Sequence, residues 1–558
     1  MPKLPLRRAI RRLHCLLLGL LMTSQTLAGD LASQPLRDQQ QQLQRFEHEQ
    51  RLRQWERRGR DVEPAPAQDR ATTNAACWPV SGVRLYGNRI LSAQMLDGPV
   101  QRELRPCMDV EAINGLLKSI TQRYVAAGYP TSRPLLLRQP SAGAPLDIRI
   151  VEGFVESIEL SDRDQPLSLR GAFPGLLGEP LYLPDLEQGL DQLNRLPGFE
   201  VSMDLLPGEL EGGTRVIVQP QRSSRRWRFN STLDNLGSDY LGVHRLFSSV
   251  TIDSPFAENG SLQLAFHNTS GDALGSSAGP AFRYDVPYGP WNFALSAIAL
   301  ESRSTTRDPH HVLEGSTRAY QFDVERVLWR NQQGMLSARL RLPHRQLEQR
   351  IDGARIGNQS VRSTHIEMGL NLLWLEGGLW NAYAGVAQGL DWFNADRVAK
   401  GDSKPLFRAY RASLMHLRQG SPQHPWRWQS EIDLQYSADR VPTTDQLYLG
   451  GSNAVRGFRE SPISYSSAAL WRNTLSYPLP IALPGNLELR PHLGVDHGWA
   501  RASRTEPSQR LAGAAVGMTL ALPRSHLTLD YQRPLHATGK RHQDLDPGYW
   551  VVQWALTI

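Results

Sequence analysis

From about Ser224 to Ile558 the chain alternates apolar and polar residues with a period of two. The segment "WRFNSTLD" sets Trp227, Phe229 and Leu233 against Arg228, Asn230, Thr232 and Asp234, and "SLQLAFHN", "MLSARLRL" and "EIDLQYS" follow the same scheme. In "YWVVQWALTI", Trp550, Val552, Trp554, Leu556 and Ile558 oppose Val551, Gln553, Ala555 and Thr557. Side chains of a strand point alternately to its two faces, so each segment is predicted to be a strand with one apolar and one polar face. Alternation alone fits a soluble sandwich as well as a barrel. Aromatics at segment ends, and long polar loops alternating with tight turns such as "PLPIALPGN" and "LPRSH", favour a membrane barrel. At roughly 9–11 residues per strand, roughly sixteen strands fit, and a barrel of that size encloses an aqueous lumen.

Ahead of Ser224 the signals are mixed, and two stretches follow one plan of strand, helical segment, strand, strand. In residues 77–152, "VRLYGN" precedes a helical stripe of Ile113, Leu117, Ile120 and Tyr124, then "RPLLLRQ" and "LDIRIVEG". In residues 153–221, "VESIEL" precedes a stripe of Leu186, Leu190 and Leu193 stopped by Pro197-Gly198, then "VSMDLL" and "TRVIVQPQ". A small sheet covered on one face leaves an edge strand open, and an open edge can accept an extended polypeptide. Residues 31–58 have helix-forming composition, with apolar positions limited chiefly to Leu36, Leu43, Phe46, Leu52 and Trp55. A helix polar nearly all round is solvated, disordered or lodged in a wet cavity. Residues 59–76 lack periodicity and read as a linker.

Arg7, Arg8, Arg11 and Arg12 precede an apolar run from Leu13 to Met22, and Thr26-Leu27-Ala28 offers a cleavage site, so residues 1–28 are predicted to be a signal peptide. The run is too short for a membrane-spanning helix, which needs roughly 20 residues. Losing these residues removes Lys3 and four arginines with no acid, lowering the formal net charge from +7 to +2. A nucleic-acid partner loses its support. Mean hydropathy is −0.42, so a membrane would be crossed by strands. Of three cysteines, Cys15 falls within the signal, while Cys77 and Cys107 remain in a chain that leaves the reducing cytoplasm. A disulfide between them is expected, with two buried free thiols as the alternative.

Enzyme signatures are missing from the sequence. "GGSNAVRG" lacks the Gly-Lys-Ser/Thr of a phosphate-binding loop, and there is no Gly-x-Ser-x-Gly elbow or His-Glu-x-x-His helix. His310 and His311 have no second cluster to complete a metal site, so neither catalysis, a metal nor a cofactor is expected. The candidate chemistry is a pair of charges. In "LELRPHLGVDHGW", Leu487, Leu489, Leu493 and Val495 share one face and Asp496 lies on the other, which would put Asp496 in the lumen of a barrel. The long loop from about Val441 to Tyr465 lies one hairpin earlier, and if it folds inward its Arg456 can meet Asp496. A wet pair of this kind contributes roughly 0–1 kcal/mol to stability. The other reading of the pattern is a solvated arginine at a loop tip and an unrelated lumen aspartate.

These residues resemble a known family. Val455, Arg456, Gly457 and Phe458, preceded by Gly450 and Gly451, resemble the lumen-folded loop signature of two-partner secretion transporters of the TpsB type, and Asp496 in "GVD" resembles that family's strand motif. "CMDVEAINGLLKSITQRYVAAGYPTSR" resembles a first POTRA domain, "DLEQGLDQLNRLPGF" a second, and "LDNLGSDYLGVHR" the first barrel hairpin. Departures are Phe458 where Tyr is also common, Gly494 where Phe often stands, and Ile558 where many barrels end on an aromatic.

The resemblance implies a transmembrane β-barrel of about 16 antiparallel strands over residues 222–558, with two periplasmic α/β POTRA domains and a plug helix within residues 29–58 that occupies the lumen. It implies an outer-membrane protein of a Gram-negative bacterium, inserted by the barrel assembly machinery into outer-membrane lipid. Its partner would be one large secreted exoprotein of the TpsA type, a β-helical adhesin, haemolysin or toxin, captured unfolded by the POTRA domains. The loop arginine and strand aspartate would hold the loop in the conformation export requires. Two rival readings are a barrel-assembly insertase of the same superfamily and a passive porin or receptor. Only two POTRA-like units and the polar helix weigh against the first, and the POTRA units against the second.

Overall fold

The computed structural model describes residue 36 and residues 77–558, apart from 271–273, 307–309, 332, 358, 398–403, 422, 451–453, 460–462, 480–486 and 502–506. The expected signal peptide, the linker and all of the expected plug helix except Leu36 lie outside the described residues.

Sixteen long antiparallel strands, from Trp227–Asp234 to Tyr549–Thr557, form a closed barrel in which the last strand pairs with the first. The two-residue strand Ala354–Arg355 only extends one hairpin. Alternation sorts the side chains as the sequence pattern requires. On Glu488–Arg501, Leu493 and Val495 are half exposed on the outside while Asp496 is buried on the inside. On the last strand, Trp550, Val552 and Trp554 face outward and Val551 and Ala555 inward. Phe266, Leu295, Phe322, Met368, Leu370 and Trp471 continue the outer apolar surface. An apolar band of this extent is stable against lipid and a liability in water. Strands reach 19 residues in Val312–Arg330, well beyond the 9–11 or so that cross a bilayer, so part of the wall stands clear of it. Leu36, the one described residue of the N-terminal segment, is helical and packs against Ala265, Ala281, Ile298, Leu300 and Ala319 on the inner wall.

Two small α/β units precede the barrel. In the first, Val83–Tyr86 runs parallel to Leu146–Val151, which pairs antiparallel with Arg133–Leu136. The helix Val110–Ala126 covers this sheet and buries Ile113, Leu116, Ile120 and Tyr124 against Ile148 and Ile150. It starts where the Asp109 carboxylate accepts the Ala112 N–H at 2.7 Å, an N-cap. The buried stripe includes Leu116, with Leu117 at its margin. Ala93–Glu103 forms a second helix that the sequence reading did not anticipate, because Gly98 and Pro99 argue against one. The Tyr124 hydroxyl donates to Glu152 at 2.9 Å, and burial together with that carboxylate pushes its pKa up, keeping it a neutral donor.

In the second unit Phe154–Leu160 runs parallel to Gly213–Ser223, Phe199–Pro207 antiparallel to it, and the helix Leu183–Asn194 buries Leu186 and Leu193 against Val216 and Val218. The units meet where Tyr129 and Tyr182 pack at 5.2 Å between ring centres and Leu183 N–H donates to Gly128 at 2.8 Å.

The second unit is docked on the short turns at one end of the barrel. Arg195 pairs with Asp285, and Arg330 with Asp191. The Gln192 amide donates to the Gly289 carbonyl at 3.1 Å, and the Asp253 carboxylate accepts both the Gly198 N–H at 2.8 Å and Arg228 at 2.7 Å. Asn259 exchanges hydrogen bonds with the Ser168 backbone at 2.8 and 2.7 Å.

Cys77 and Cys107 are joined in a disulfide with a Cα–Cα distance of 5.6 Å, beside the short strand pair Trp78–Pro79 and Cys107–Met108. The bond closes a loop of 30 residues, for which chain entropy gives about 3–4 kcal/mol. Cys77→Ser is expected to destabilise the first unit by about that amount. The measurement is urea-dependent proteolysis of the full protein, with the cleavage midpoint in residues 77–152 lowered and the barrel still migrating as a folded, heat-modifiable species.

Candidate functional site: a loop folded into the barrel lumen

The neighbouring strands Arg427–Tyr436 and Ser467–Ser476 are joined by residues 437–466, a connection too long for a hairpin turn. It folds inward. Leu449, Ala454, Val455 and Phe458 are buried against Ala468, Leu470, Ala500, Leu511 and Ala537 of the wall. Loops ordinarily run over the surface in water, so the apolar residues here are what keeps this one inside.

At the tip, Arg456 and Asp496 come together. Arg456 Nε donates to Asp496 Oδ2 at 2.6 Å and Nη2 to Oδ1 at 2.5 Å, a bidentate pair. The Arg456 backbone N–H adds a third bond to Oδ2 at 2.9 Å, and Nη2 also reaches the Asn473 carbonyl at 2.8 Å. Arg472 Nε stands 3.9 Å from Asp496 Oδ1. The expectation of a well-solvated pair is corrected: the side chains are 5% and 0% exposed. A buried pair contributes little net stability against a hydrophobic substitute, but removing one partner strands the other charge, at a local cost of about 3–5 kcal/mol.

Three glycines on the inner wall make the approach possible. A methyl group on Gly494 would lie 2.0 Å from Arg456 Nη1, one on Gly498 2.8 Å from Val455 Cγ2, and one on Gly513 1.8 Å from the Arg456 carbonyl oxygen. The loop rests directly on the backbone of the wall. Gly457 turns the tip with a φ of +96°, and a side chain there would strike Arg533. Gly494, a departure from the family pattern, is therefore the seat of the guanidinium. Gly498 and Gly513 escaped the sequence reading. The available signal was glycine inside a strand, which marks a close approach by another backbone.

The tip also reaches across the closure of the barrel. Arg459 Nε donates to the Gly237 carbonyl at 3.1 Å, and its guanidinium lies 5.7 Å from the centre of the Tyr549 ring. In the first hairpin, Asp234 and Arg245 face each other in register and form a buried bidentate pair at 2.8 and 3.1 Å. Among the described residues, no group of three His, Cys, Asp or Glu side chains is arranged to hold a metal. His311 pairs with Asp352 at 2.6 Å, with both side chains exposed.

Residues 212–520 match the family described as Haemolysin secretion/activation protein ShlB/FhaC/HecB, residues 78–153 a ShlB-type POTRA domain, and residues 154–207 a POTRA domain. The Hemolysin transporter protein HpmB of Proteus mirabilis is 29% identical over 541 residues, 93% of each chain. The Hemolysin transporter protein ShlB of Serratia marcescens is 30% identical over 477 residues, 84% of each. Among solved structures, CdiB from Escherichia coli superposes with a TM-score of 0.83 at 25% identity, covering 95% of this chain and 99% of that one. Two POTRA units followed by a barrel region are what the family matches and the geometry above have in common. The chain belongs to the haemolysin secretion/activation family, the two-partner secretion transporters, with its barrel in the outer membrane and its POTRA domains in the periplasm.

Proposed function

We propose that this transporter takes one large unfolded exoprotein from the periplasm through its barrel to the cell surface without nucleotide hydrolysis, and that Arg456 and Asp496 hold the loop in the conformation export requires. The observation that carries this reading is the buried pair that seats the loop tip inside the barrel while the second POTRA unit is docked on the barrel's turns. Edge strands support capture of an extended client: Arg133–Leu136 and Phe199–Pro207 each pair on one side only, with Leu135 and Leu206 exposed. The sequence carries no phosphate-binding loop, so directional movement rests on folding of the client as it emerges. Relatives named as hemolysin transporters make a hemolysin one candidate client. Outer-membrane lipid and the barrel assembly machinery are the other partners, and residues 29–58 serve as the resting plug, with Leu36 on the inner wall as the supporting contact.

The direct test is co-expression with a candidate large, signal-bearing exoprotein, sought first in the neighbouring reading frames, followed by assay of the medium and the cell surface. Arg456→Ala and Asp496→Ala are each expected to reduce export roughly tenfold or more, because each strands a buried charge, while the barrel still inserts and remains heat-modifiable. A cysteine in place of Val455 should resist an impermeant reagent on intact cells. Near-normal secretion by Arg456→Ala, or ready labelling at position 455, would overturn the loop's role.

Gly494→Ala is expected to reproduce the Arg456→Ala phenotype with the pair's residues intact, since the added methyl occupies the guanidinium's place. Normal export by this variant would show that the observed seat is dispensable. Deleting residues 31–58 should raise single-channel conductance in planar bilayers without loss of heat-modifiable migration, and unchanged conductance would count against a plug.

A further inference from the structure

The root of the inward loop carries a second buried carboxylate. Thr443–Asp445 forms a single 3-10 turn, and the Asp445 side chain is fully buried. Arg345 pairs with its carboxylate and also donates to the Thr444 carbonyl at 2.8 Å. Ser363 and Thr444 hydroxyls each donate to Oδ2 at 3.1 Å, and His365 Nδ1 stands 3.4 Å from Oδ1. The Asp445 main-chain carbonyl accepts from Arg411 Nη2 at 3.3 Å and from the Gln435 amide at 3.1 Å. Arg411 is itself held by Glu367 at 2.5 Å, which also takes Arg341 at 3.2 Å and the Tyr383 hydroxyl.

This cluster shares no residue with the Arg456 site. Its wall partners lie on Gly334–Ile351, Val361–Trp374, Arg408–Gln419 and Arg427–Tyr436, the strands that precede the loop. Arg456 uses Ser467–Ser476 and Glu488–Arg501, the strands that follow it. Withdrawal of the root would take this carboxylate away from Arg345 in a largely buried site, so the root is held as well as the tip. Ten residues lie between Asp445 and Arg456, so the two holds act on one short stretch of chain.

We propose that Asp445 is a second positioning residue for export, pinning the loop's root to the preceding strands independently of the Arg456–Asp496 pair. The proposal rests on the export reading above for its activity arm, and on the geometry alone for its labelling arm.

The test uses the full-length protein in outer membranes with one of two buried reporters, Val441→Cys at the root or Ala454→Cys at the tip, and a bulky impermeant maleimide; Cys77 and Cys107 are bonded to each other and do not react. Asp445→Asn is expected to expose the root cysteine and leave the tip cysteine protected, and Asp496→Asn to do the reverse. Arg345→Gln, which alters only the wall, should match Asp445→Asn and decides the matter should that variant fail to fold. With the candidate exoprotein co-expressed, Asp445→Asn and Arg345→Gln should each reduce export roughly tenfold. Exposure of both cysteines together, continued protection of the root, or full export from a loop labelled at its root would overturn the proposal. Failure of the unsubstituted protein to export anything would count against the function instead, and the labelling pattern would still decide whether Asp445 is an independent hold.

Discussion

An arginine or lysine that faces hydrocarbon near the middle of a bilayer costs about 2–4 kcal/mol, and an acidic side chain somewhat less, and the arrangement of this molecule follows from that constraint. It fixes the parity of every strand, placing Leu493 and Val495 in lipid and Asp496 inside. Charges gathered on the inner wall then face one another at short range. Where water is excluded they must pair, so the lumen is laced with arginine–carboxylate contacts such as Arg245 with Asp234, Arg411 with Glu367 and Arg456 with Asp496. The inward loop is stable because it completes these contacts and brings its own apolar residues to a wall that offers alanine and leucine.

How much of this could be read from the chain depends on whether the cause is local. Strand alternation is local, and it placed Asp496 inside and Leu493 outside. The conjunction of Arg456 with Asp496 could be posed from parity and loop length, although its burial could not. Asp445 gave no signal, because its partners Arg345 and Ser363 are 100 and 82 residues away and period two says which face a residue takes without saying what lies across the lumen. Arg195 and Arg330 were equally silent, since each is an ordinary polar residue until the second POTRA unit meets the barrel turns. The helix Ala93–Glu103 was hidden for a different reason: its packing, with Leu96 and Val100 in the core, overrides the poor local propensity of Gly98 and Pro99.

The docking of the second POTRA unit bears on how a client enters. Contacts to Asp253, Asn259, Asp285, Gly289 and Arg330 span three successive turns of the barrel rim. Charged and backbone bonds spread over that distance resist tilting better than a single contact could. The unit is therefore joined to the barrel mouth at several points, and on the export reading a polypeptide at its sheet edge would start beside the lumen.

The bare backbone under the loop tip has an evolutionary consequence. At Gly494, Gly498 and Gly513 the tip occupies the volume that side chains would fill. A relative with an aromatic in place of Gly494 has no room for an arginine on this path and must lead it to its aspartate by another. The tip and its three strand positions thus fit one another as one unit. Exchanging loops between members of the family without exchanging the wall beneath them would move a part away from the surface shaped to receive it.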